Sequence, residues 1–351
     1  MVSLCEMARD LETLWLARLG ALCTQVRETA RAALADALSR GDGERLARPV
    51  RQGAGDVTFA LDQCTEDVIT NWLEHTARTQ PISLLTEDEG WRHRGPGPGG
   101  AALELADFDH GGPRIAIDPI DGTRHLMSDL RSAWSIVSFA PPGSGEPRMS
   151  DLTLGLVSEI PDSRAARWRS LSAVLGHGAH FEERTLTTEV LHSARRLNTG
   201  KDARADHGYF PMFRYLAAQR PLIAAVEARF FERLARLEHA DTRSCYDDQY
   251  ISSGGQLALL CLGTYRMSVD LRATLGTARP EIPSLATHPY DIAGAVLVAR
   301  EAGADVTGID GERLDFPIDC TTPVSFAAWV NPGTRARLEP HLRAALAEVL
   351  A

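Results

Sequence analysis

Residues 114–123 read RIAIDPIDGT, an apolar run followed by two aspartates and a Gly-Thr pair. The apolar half predicts a strand that ends at the first aspartate. Pro119 fixes one backbone angle between the aspartates, and Gly122 lets the chain turn and exposes backbone N–H groups. If a helix begins near Thr123, those groups form a phosphate site at its positive end. The alternative is an ordinary turn, since Asp, Pro and Gly all favour turns.

The aspartates, Asp118 and Asp121, would repel a phosphate group by themselves. A hard cation between them reverses the sign of the charge, and Mg²⁺ prefers such oxygen ligands. Further carboxylates are Glu87, after an apolar run, Asp291, at the start of a predicted helix, and Asp62, after residues 57–61. Each alone would be explained as a solvated loop residue or as a helix cap. Together with exposed amides and a metal ion, they indicate phosphoryl transfer to water.

The composition limits the function classes. Of 351 residues, 37 are basic and 47 acidic, a net charge of −10, which argues against a nucleic-acid binder. The six cysteines form no C-x-x-C pair, so we expect neither a zinc site nor a disulfide framework. No apolar run suggests a signal peptide or a membrane span, and we therefore expect a cytoplasmic protein without membrane partners.

Hydrophobic periodicity predicts a layered α/β or α+β architecture. Residues 95–100, GPGPGG, predict a flexible loop. We expect helices over 9–39, from Thr65 onward, over 211–238 with a break at Pro221, over 256–262 and over 292–302. We expect strands over 81–85, 114–117, 133–140, 152–160, 172–181, 265–271, 306–309 and 324–330.

The order and spacing of the acidic motifs resemble those of the inositol monophosphatase family, within the lithium-sensitive, magnesium-dependent sugar and nucleotide phosphatases. That family has an acidic pair after a strand, then D-P-[IL]-D-G-T, then W-D-x-A-A-G and E-A-G-G. Here these motifs are found at 86–88, unchanged at 118–123, and at 290–295 with 301–304. The resemblance covers residues 55–335.

The resemblance implies a five-layered αβαβα sandwich. An N-terminal half, residues 1–198, would carry most metal ligands, and a C-terminal half, residues 199–351, would supply Asp291 and substrate contacts. It also implies two or three Mg²⁺ ions per site, inhibition by lithium and a homodimer.

The resemblance also assigns roles to matching positions. The Thr123 hydroxyl and Glu87 would orient the attacking water, and Asp62 would accept a hydrogen bond from Thr123. The implied catalytic set is Glu87, Thr123 and Asp62; the metal set is Glu87, Asp118, the Ile120 carbonyl, Asp121 and Asp291; the substrate set is Asp121, Gly122, Thr123 and Asp291.

The chain departs from the family pattern at several positions. His125 stands where Asn is usual, and a supporting or surface role is expected for it rather than phosphate contact. Tyr290 replaces Trp, and Gly294-Ala295 reverses the usual Ala-Gly order. Glu281 is a candidate substrate contact in a segment that does not align with the family. The region 241–255 is a second candidate for substrate contacts, and it contains Asp247, Asp248, Ser252 and Ser253.

The expected function is a magnesium-dependent phosphomonoesterase acting through a metal-activated water on inositol monophosphate or a related polyol or sugar phosphate. Fructose 1,6-bisphosphate or 3′-phosphoadenosine 5′-phosphate is the alternative substrate with the same chemistry. A fructose bisphosphate enzyme should have basic residues that reach the second phosphate, and a shared wall of Arg243, Arg266 and Arg272 would favour that substrate. An alternative of another class is a non-catalytic binding protein on the same scaffold.

Overall fold

The computed structural model describes residues 4–52, 57–87 and 89–350. The helices are α1 (Leu4–Arg40), α2 (Ala60–Ala77), α3 (Thr123–Met127), α4 (Arg220–Leu237), α5 (Ser253–Cys261), α6 (Arg272–Ala278), α7 (Pro289–Glu301) and α8 (Pro332–Leu350). The strands are β1 (Pro49–Gln52), β2 (Val57–Phe59), β3 (Ile82–Thr86), β4 (Gly90–Pro96), β5 (Ala102–Glu104), β6 (Arg114–Asp121), β7 (Ala133–Ala140), β8 (Leu154–Ile160), β9 (Arg167–Val174), β10 (Gly178–Thr185), β11 (Leu191–Arg196), β12 (Gly208–Tyr209), β13 (Cys245–Tyr246), β14 (Met267–Asp270), β15 (Asp305–Thr307) and β16 (Phe326–Trp329).

The helices and sheets stack in five layers, which confirms the predicted αβαβα sandwich. A nine-stranded sheet has the order β11-β10-β9-β8-β7-β6-β3-β4-β5, and a three-stranded sheet has the order β14-β16-β15. One hydrophobic core joins α1 and α2 to the outer face of the large sheet. A second core packs α5 and α7 between the two sheets, and a third joins α4 and α8 to the small sheet.

The strand β6 carries the first functional motif, and an irregularity in it decides where the aspartates point. Asp118 pairs with Ile136 of β7, whereas Asp121 pairs with Trp134, so β6 has one residue more than β7 between these pairs. In a regular strand, residues three apart face opposite sides of the sheet. A one-residue bulge shifts that alternation by one position. The bulge therefore explains why both aspartates face the same cleft.

Helix α7 packs unusually close to the large sheet. All its residues from Ile292 to Ala299 are buried. A side-chain carbon on Gly294 would lie 2.0 Å from the carbonyl oxygen of Val137 in β7. Glycine at this position is thus required by backbone contact, which gives a physical reason for the reversed Gly294-Ala295 order.

Several predicted elements are confirmed, and others need correction. The helix over 9–39 and the strand over 133–140 are present as α1 and β7. The helix expected from Thr65 begins five residues earlier, at Ala60, because the carboxylate of Asp62 accepts a hydrogen bond of 2.8 Å from the Phe59 amide. This bond satisfies an amide just before the first turn of α2.

Two further predictions were wrong in detail. The single strand over 172–181 is a β9–β10 hairpin, whose turn uses Gly176 and Gly178 at φ values of 77° and 82°. The helix over 211–238 begins only at Arg220, and Pro221 lies in its first turn rather than breaking it. Proline is favoured there because the first-turn amides have no partner within the helix. Strands β4, β5 and β11 and helix α8 were not predicted.

Among the described residues, the cysteines form no disulfide bond. Cys23, Cys64, Cys245, Cys261 and Cys320 are free thiols. Within the described ranges, every helix is too short or too polar to cross a membrane. The division into residues 1–198 and 199–351 stays a prediction.

A polar cluster ties the loop before β6 to the sheet. The hydroxyl oxygen of Ser83, on β3, lies 2.7 Å from His93 Nδ1 and 2.7 Å from His110 Nε2. The Gly112 amide donates to His110 Nδ1 at 3.0 Å, so His110 carries its proton on Nε2 and donates it to Ser83. Ser83 then donates to His93. This sequence of bonds requires both imidazoles to be neutral, and burial lowers the pKa of both.

Candidate active site

The residues singled out by the motifs line one cleft of about 140 Å³. β6 and the turn after it supply Asp118, Ile120, Asp121, Gly122 and Thr123; α2 supplies Asp62; the end of β3 supplies Glu87; α7 supplies Asp291. The structure therefore brings the predicted ligand and catalytic positions together from four separate parts of the chain. The neighbouring Asp88 lies outside the described residues.

Main-chain and hydroxyl donors orient the two aspartates of β6. Asp118 Oδ1 accepts a hydrogen bond of 3.0 Å from the Ile120 amide. Asp121 Oδ2 accepts bonds from the Ser252 hydroxyl at 2.8 Å and from the Gly254 amide at 2.6 Å. Each carboxylate is thus held through one of its oxygens.

Thr123 and Asp62 form the second feature of the cleft. Thr123 Oγ1 lies 2.7 Å from Asp62 Oδ1 and 2.8 Å from the Ile120 carbonyl oxygen. The hydroxyl has one proton, so it donates fully to only one of these acceptors at a time. Because Asp62 Oδ2 accepts from the Phe59 amide, the carboxylate has a fixed orientation toward Thr123. The predicted Thr123–Asp62 hydrogen bond is present.

Asp291 caps its own helix and also faces the cleft. Its Oδ2 accepts hydrogen bonds from the His288 amide at 2.8 Å and from the Thr287 hydroxyl at 3.0 Å. Asp62 likewise lies three residues into α2. Asp62 and Asp291 therefore each cap a helix and also line the cleft. Both roles are possible because a carboxylate has two oxygens and a helix end requires only one of them.

The electrostatics of the cleft are dominated by negative charge. Burial raises the pKa of Asp118 well above its ordinary value, and the neighbouring Asp121, Asp291 and Glu87 raise it further. Burial, followed by the charge of Asp291, raises the pKa of Asp121 to about 7. Burial also raises the pKa of Asp291. Carboxylates that oppose one another's ionisation in this way favour the binding of a cation.

The carboxylate and carbonyl oxygens of the cleft suit a hard divalent cation, although the carboxylate side chains do not converge on one point. Carboxylate oxygens and a backbone carbonyl are the ligands that Mg²⁺ accepts in proteins. Within residues 4–52, 57–87 and 89–350, no three His, Cys, Asp or Glu side chains converge closely enough to form a complete metal site.

His125 does not belong to the cleft surface. Its side chain is buried, with the ring stacked on Tyr250 at 5.6 Å between centroids and 15° between planes. Burial and the charge of Arg131 lower its pKa. Of the two roles expected for His125, the structure supports a supporting role and not a surface one.

The candidate substrate contacts divide into two groups. Ser252, Ser253 and Arg272 line the cleft. Glu281 is exposed and lies outside the cleft lining, Asp247 pairs with Arg214, and both oxygens of Asp248 accept from Arg131, at 2.6 and 3.1 Å. The second group therefore does not reach the cleft.

The three arginines expected at a second phosphate do not share a wall. Arg243 is exposed and pairs with Asp241, and Arg266 donates to the carbonyl oxygen of Asp202 at 2.7 Å. Arg272 lines the cleft, but its guanidinium is paired with the buried Asp270 at 2.6 Å.

One wall of the cleft, made of aromatic side chains and an arginine, was not predicted from the sequence. The Arg124 guanidinium carbon lies 5.2 Å from the ring centre of Phe59 and 5.1 Å from that of Tyr215. Phe213 stacks on Tyr215 with the ring centres 6.0 Å apart. The helix predicted over 211–238 includes residues 213–215, whereas α4 begins at Arg220, so these residues were not expected to line a cleft.

Comparison with known proteins identifies the family. The sequence profile of the inositol monophosphatase family matches residues 17–328, and no curated protein sequence matches the chain. Among solved structures, the extragenic suppressor protein SuhB of Bartonella henselae has 15% identity and a TM-score of 0.61, over 94% of this chain and 98% of that one. The IMPase of Thermotoga maritima has 16% identity and a TM-score of 0.57, over 96% and 99%.

A third solved structure is named an inositol monophosphatase–fructose 1,6-bisphosphatase. It has 14% identity and a TM-score of 0.59, over 95% of this chain and 99% of that one. The three structures share the layered fold of this chain, and the profile spans every cleft residue named above. The chain belongs to the inositol monophosphatase family and so to the phosphatases of that superfamily.

Proposed function

We propose that the chain is a magnesium-dependent phosphomonoesterase that hydrolyses inositol monophosphate or a related polyol or sugar phosphate. The observation that carries this proposal is the meeting of Glu87, Asp118, Asp121 and Asp291 in one cleft beside the Thr123–Asp62 pair. A cleft with this charge repels a phosphate group unless cations occupy it.

The residues that would hold Mg²⁺ in this proposal are Glu87, Asp118, Asp121 and Asp291, together with the Ile120 carbonyl. When bound, Mg²⁺ neutralises the phosphoryl oxygens and lowers the pKa of water. The orienting hydrogen bonds hold Asp118 through Oδ1 and Asp121 through Oδ2, and we assign the remaining oxygen of each to the cation.

The chain's own residues position the reactants. With its proton donated to Asp62, the Thr123 oxygen is left as an acceptor that would orient the attacking water, and the Ile120 carbonyl oxygen would be available to a cation. Glu87 would accept a hydrogen bond from the other O–H group of that water and so orient it together with Thr123. The backbone amides of Gly122 and Thr123 would donate to the phosphate. Asp121 and Asp291 would also contact the substrate.

The cleft favours a substrate with one phosphate. Of the three arginines expected for a bisphosphate, only Arg272 lines the cleft, and Asp270 already neutralises it. The proposal therefore places polyol and sugar monophosphates ahead of fructose 1,6-bisphosphate and 3′-phosphoadenosine 5′-phosphate. The intact set of Glu87, Asp118, Asp121 and Asp291 in one cleft argues against a non-catalytic binding protein.

A phosphate-release assay over a panel of metabolites tests the proposal. The panel contains inositol 1-phosphate, glycerol 2-phosphate, fructose 1,6-bisphosphate and 3′-phosphoadenosine 5′-phosphate, each with Mg²⁺ and with EDTA. We expect release that requires Mg²⁺ and is fastest for a monophosphate. Folded protein that releases phosphate from none of them would instead support the binding protein, and preference for a bisphosphate would reverse the substrate order.

We also propose that the chain acts as a homodimer in the cytoplasm. Light scattering coupled to gel filtration tests the dimer, for which the expected mass is twice that of the 38.2 kDa chain. A mass of one chain at assay concentration would contradict it.

A further inference from the structure

Asp121, from the N-terminal half of the chain, lies against the first turn of α5, from the C-terminal half. Its Oδ2 accepts hydrogen bonds from the Ser252 hydroxyl at 2.8 Å and the Gly254 amide at 2.6 Å. The positive end of a nine-residue helix thus faces this carboxylate, and a hydroxyl beside it adds a second donor.

The direction of the Ser252 hydroxyl proton follows from its partners. Ser252 is the N-cap of α5, and its oxygen accepts a hydrogen bond of 2.9 Å from the Gly255 amide. A hydroxyl that accepts from this amide keeps its single proton for Asp121, whose oxygen is an acceptor. Ser252 therefore does two tasks: it caps α5, and it orients the carboxylate.

The contact between α5 and Asp121 leaves little freedom of position. A side-chain carbon on Gly254 would lie 2.3 Å from Ile136 Cδ1 and 2.9 Å from Asp121 Oδ2. A side-chain carbon on Gly255 would lie 2.6 Å from the Trp134 ring. The two glycines let the helix end approach β7 and Asp121 directly.

A buried network fixes the chain just before α5. The Tyr250 hydroxyl accepts from Trp134 Nε1 and donates to the Ser132 carbonyl oxygen, each at 2.6 Å. The Gln256 side-chain amide donates to the Tyr250 carbonyl oxygen, also at 2.6 Å. These bonds fix the chain before Ser252, at Tyr250, and after it, at Gln256.

We propose that Ser252 is a positioning residue that orients Asp121 for the divalent cation and thereby sets the affinity of the site for Mg²⁺. This inference rests on the proposed metal role of Asp121. Loss of a group that orients a metal ligand typically weakens metal affinity or activity by about 10–100-fold. We expect a loss of that size from Ser252→Ala.

The test measures Mg²⁺ binding by titration calorimetry, and independently the rise in melting temperature that saturating Mg²⁺ produces. Ser252→Thr, which keeps the hydroxyl, should bind Mg²⁺ within about threefold of the wild type, far inside the roughly 10-fold minimum loss expected for Ser252→Ala. Ser252→Gly also removes the hydroxyl, but glycine is tolerated as an N-cap, so this variant should keep the fold and lose Mg²⁺ affinity as strongly as Ser252→Ala.

Ser325→Ala is the matched control, because Ser325 also accepts a helix amide, that of Thr274 at 2.9 Å, but lies outside the cleft lining. It should lower the melting temperature without changing Mg²⁺ affinity. Wild-type affinity in Ser252→Ala, or an equal loss in Ser325→Ala, would overturn the inference. Absence of Mg²⁺ binding by the wild type would instead refute the proposed function itself.

Discussion

Replacement of Asp121 by asparagine should have opposite effects on stability and on activity. In the metal-free protein, burial and the charge of Asp291 raise the pKa of this carboxyl from 3.8 to about 7. The folded state therefore binds a proton that the unfolded state has already lost, and stability falls as pH rises from about 4 through about 7. Above that range the ionised carboxyl carries its full unfavourable free energy.

The size of this effect follows from the pKa change. Three pKa units correspond to about 4 kcal/mol. Asparagine has no charge to bury, and its Oδ1 accepts the same bonds from Ser252 and Gly254. Metal-free Asp121→Asn should thus be more stable than the wild type at pH 8 by up to about 4 kcal/mol. For a chain of this length, that is a rise in melting temperature of about 5 °C.

The assay is thermal unfolding in EDTA at pH 4.5, 6 and 8, with phosphate release measured in Mg²⁺. The stability gain should shrink toward pH 4.5, and phosphatase activity should fall by more than about 100-fold, since a ligand contributes more than the groups that orient it. A lower melting temperature for Asp121→Asn at pH 8 in EDTA, or near-normal turnover in Mg²⁺, would refute the reasoning.

Three further predictions concern other parts of the molecule. Thr123→Val should lower kcat by about 100-fold with little change in KM, whereas Thr123→Ser should retain activity; steady-state kinetics of both variants decides this. Lithium at millimolar-range concentration should inhibit phosphate release, and an unaltered rate would count against close kinship. Because burial lowers the pKa of His93 and His110, the contribution of this cluster to stability should be lost as pH drops below about 6.5, where unfolded histidine gains its proton. Thermal unfolding of the wild type and of Ser83→Ala in EDTA from pH 7.5 to 5 checks this: the contribution of Asp121 is common to both proteins, and the stability difference between them should shrink as pH falls.

The convergence of the acidic residues was predictable because each lies at the end of an apolar strand or the start of a helix. The ends of strands and the starts of helices gather at one edge of a layered α/β fold. The motif at 118–123 also carries its own turn chemistry in Pro119 and Gly122. The resemblance to the inositol monophosphatase family, carried by the order and spacing of these motifs, predicted Glu87, Asp118 and Asp291 as one site, and they line one cleft.

Other features depend on contacts that no local pattern encodes. The bulge in β6 exists only through its register with β7, and a regular strand would have turned Asp118 and Asp121 to opposite sides. Ser252 has the pattern of an ordinary N-cap, and only the packing of α5 against β6 reveals its bond to Asp121. Tyr215 lies in irregular chain near Arg124, so helical periodicity misplaced it.

Anomalous diffraction from crystals soaked in Mn²⁺ tests the central claim most directly, because Mn²⁺ takes the same oxygen ligands as Mg²⁺ and its position is seen without reference to activity. We expect a strong peak within bonding distance of both Asp118 and Asp121, with at least one of Glu87 and Asp291 also in contact. Fully occupied Mn²⁺ found only elsewhere on the molecule, with these carboxylates unmoved, would contradict it.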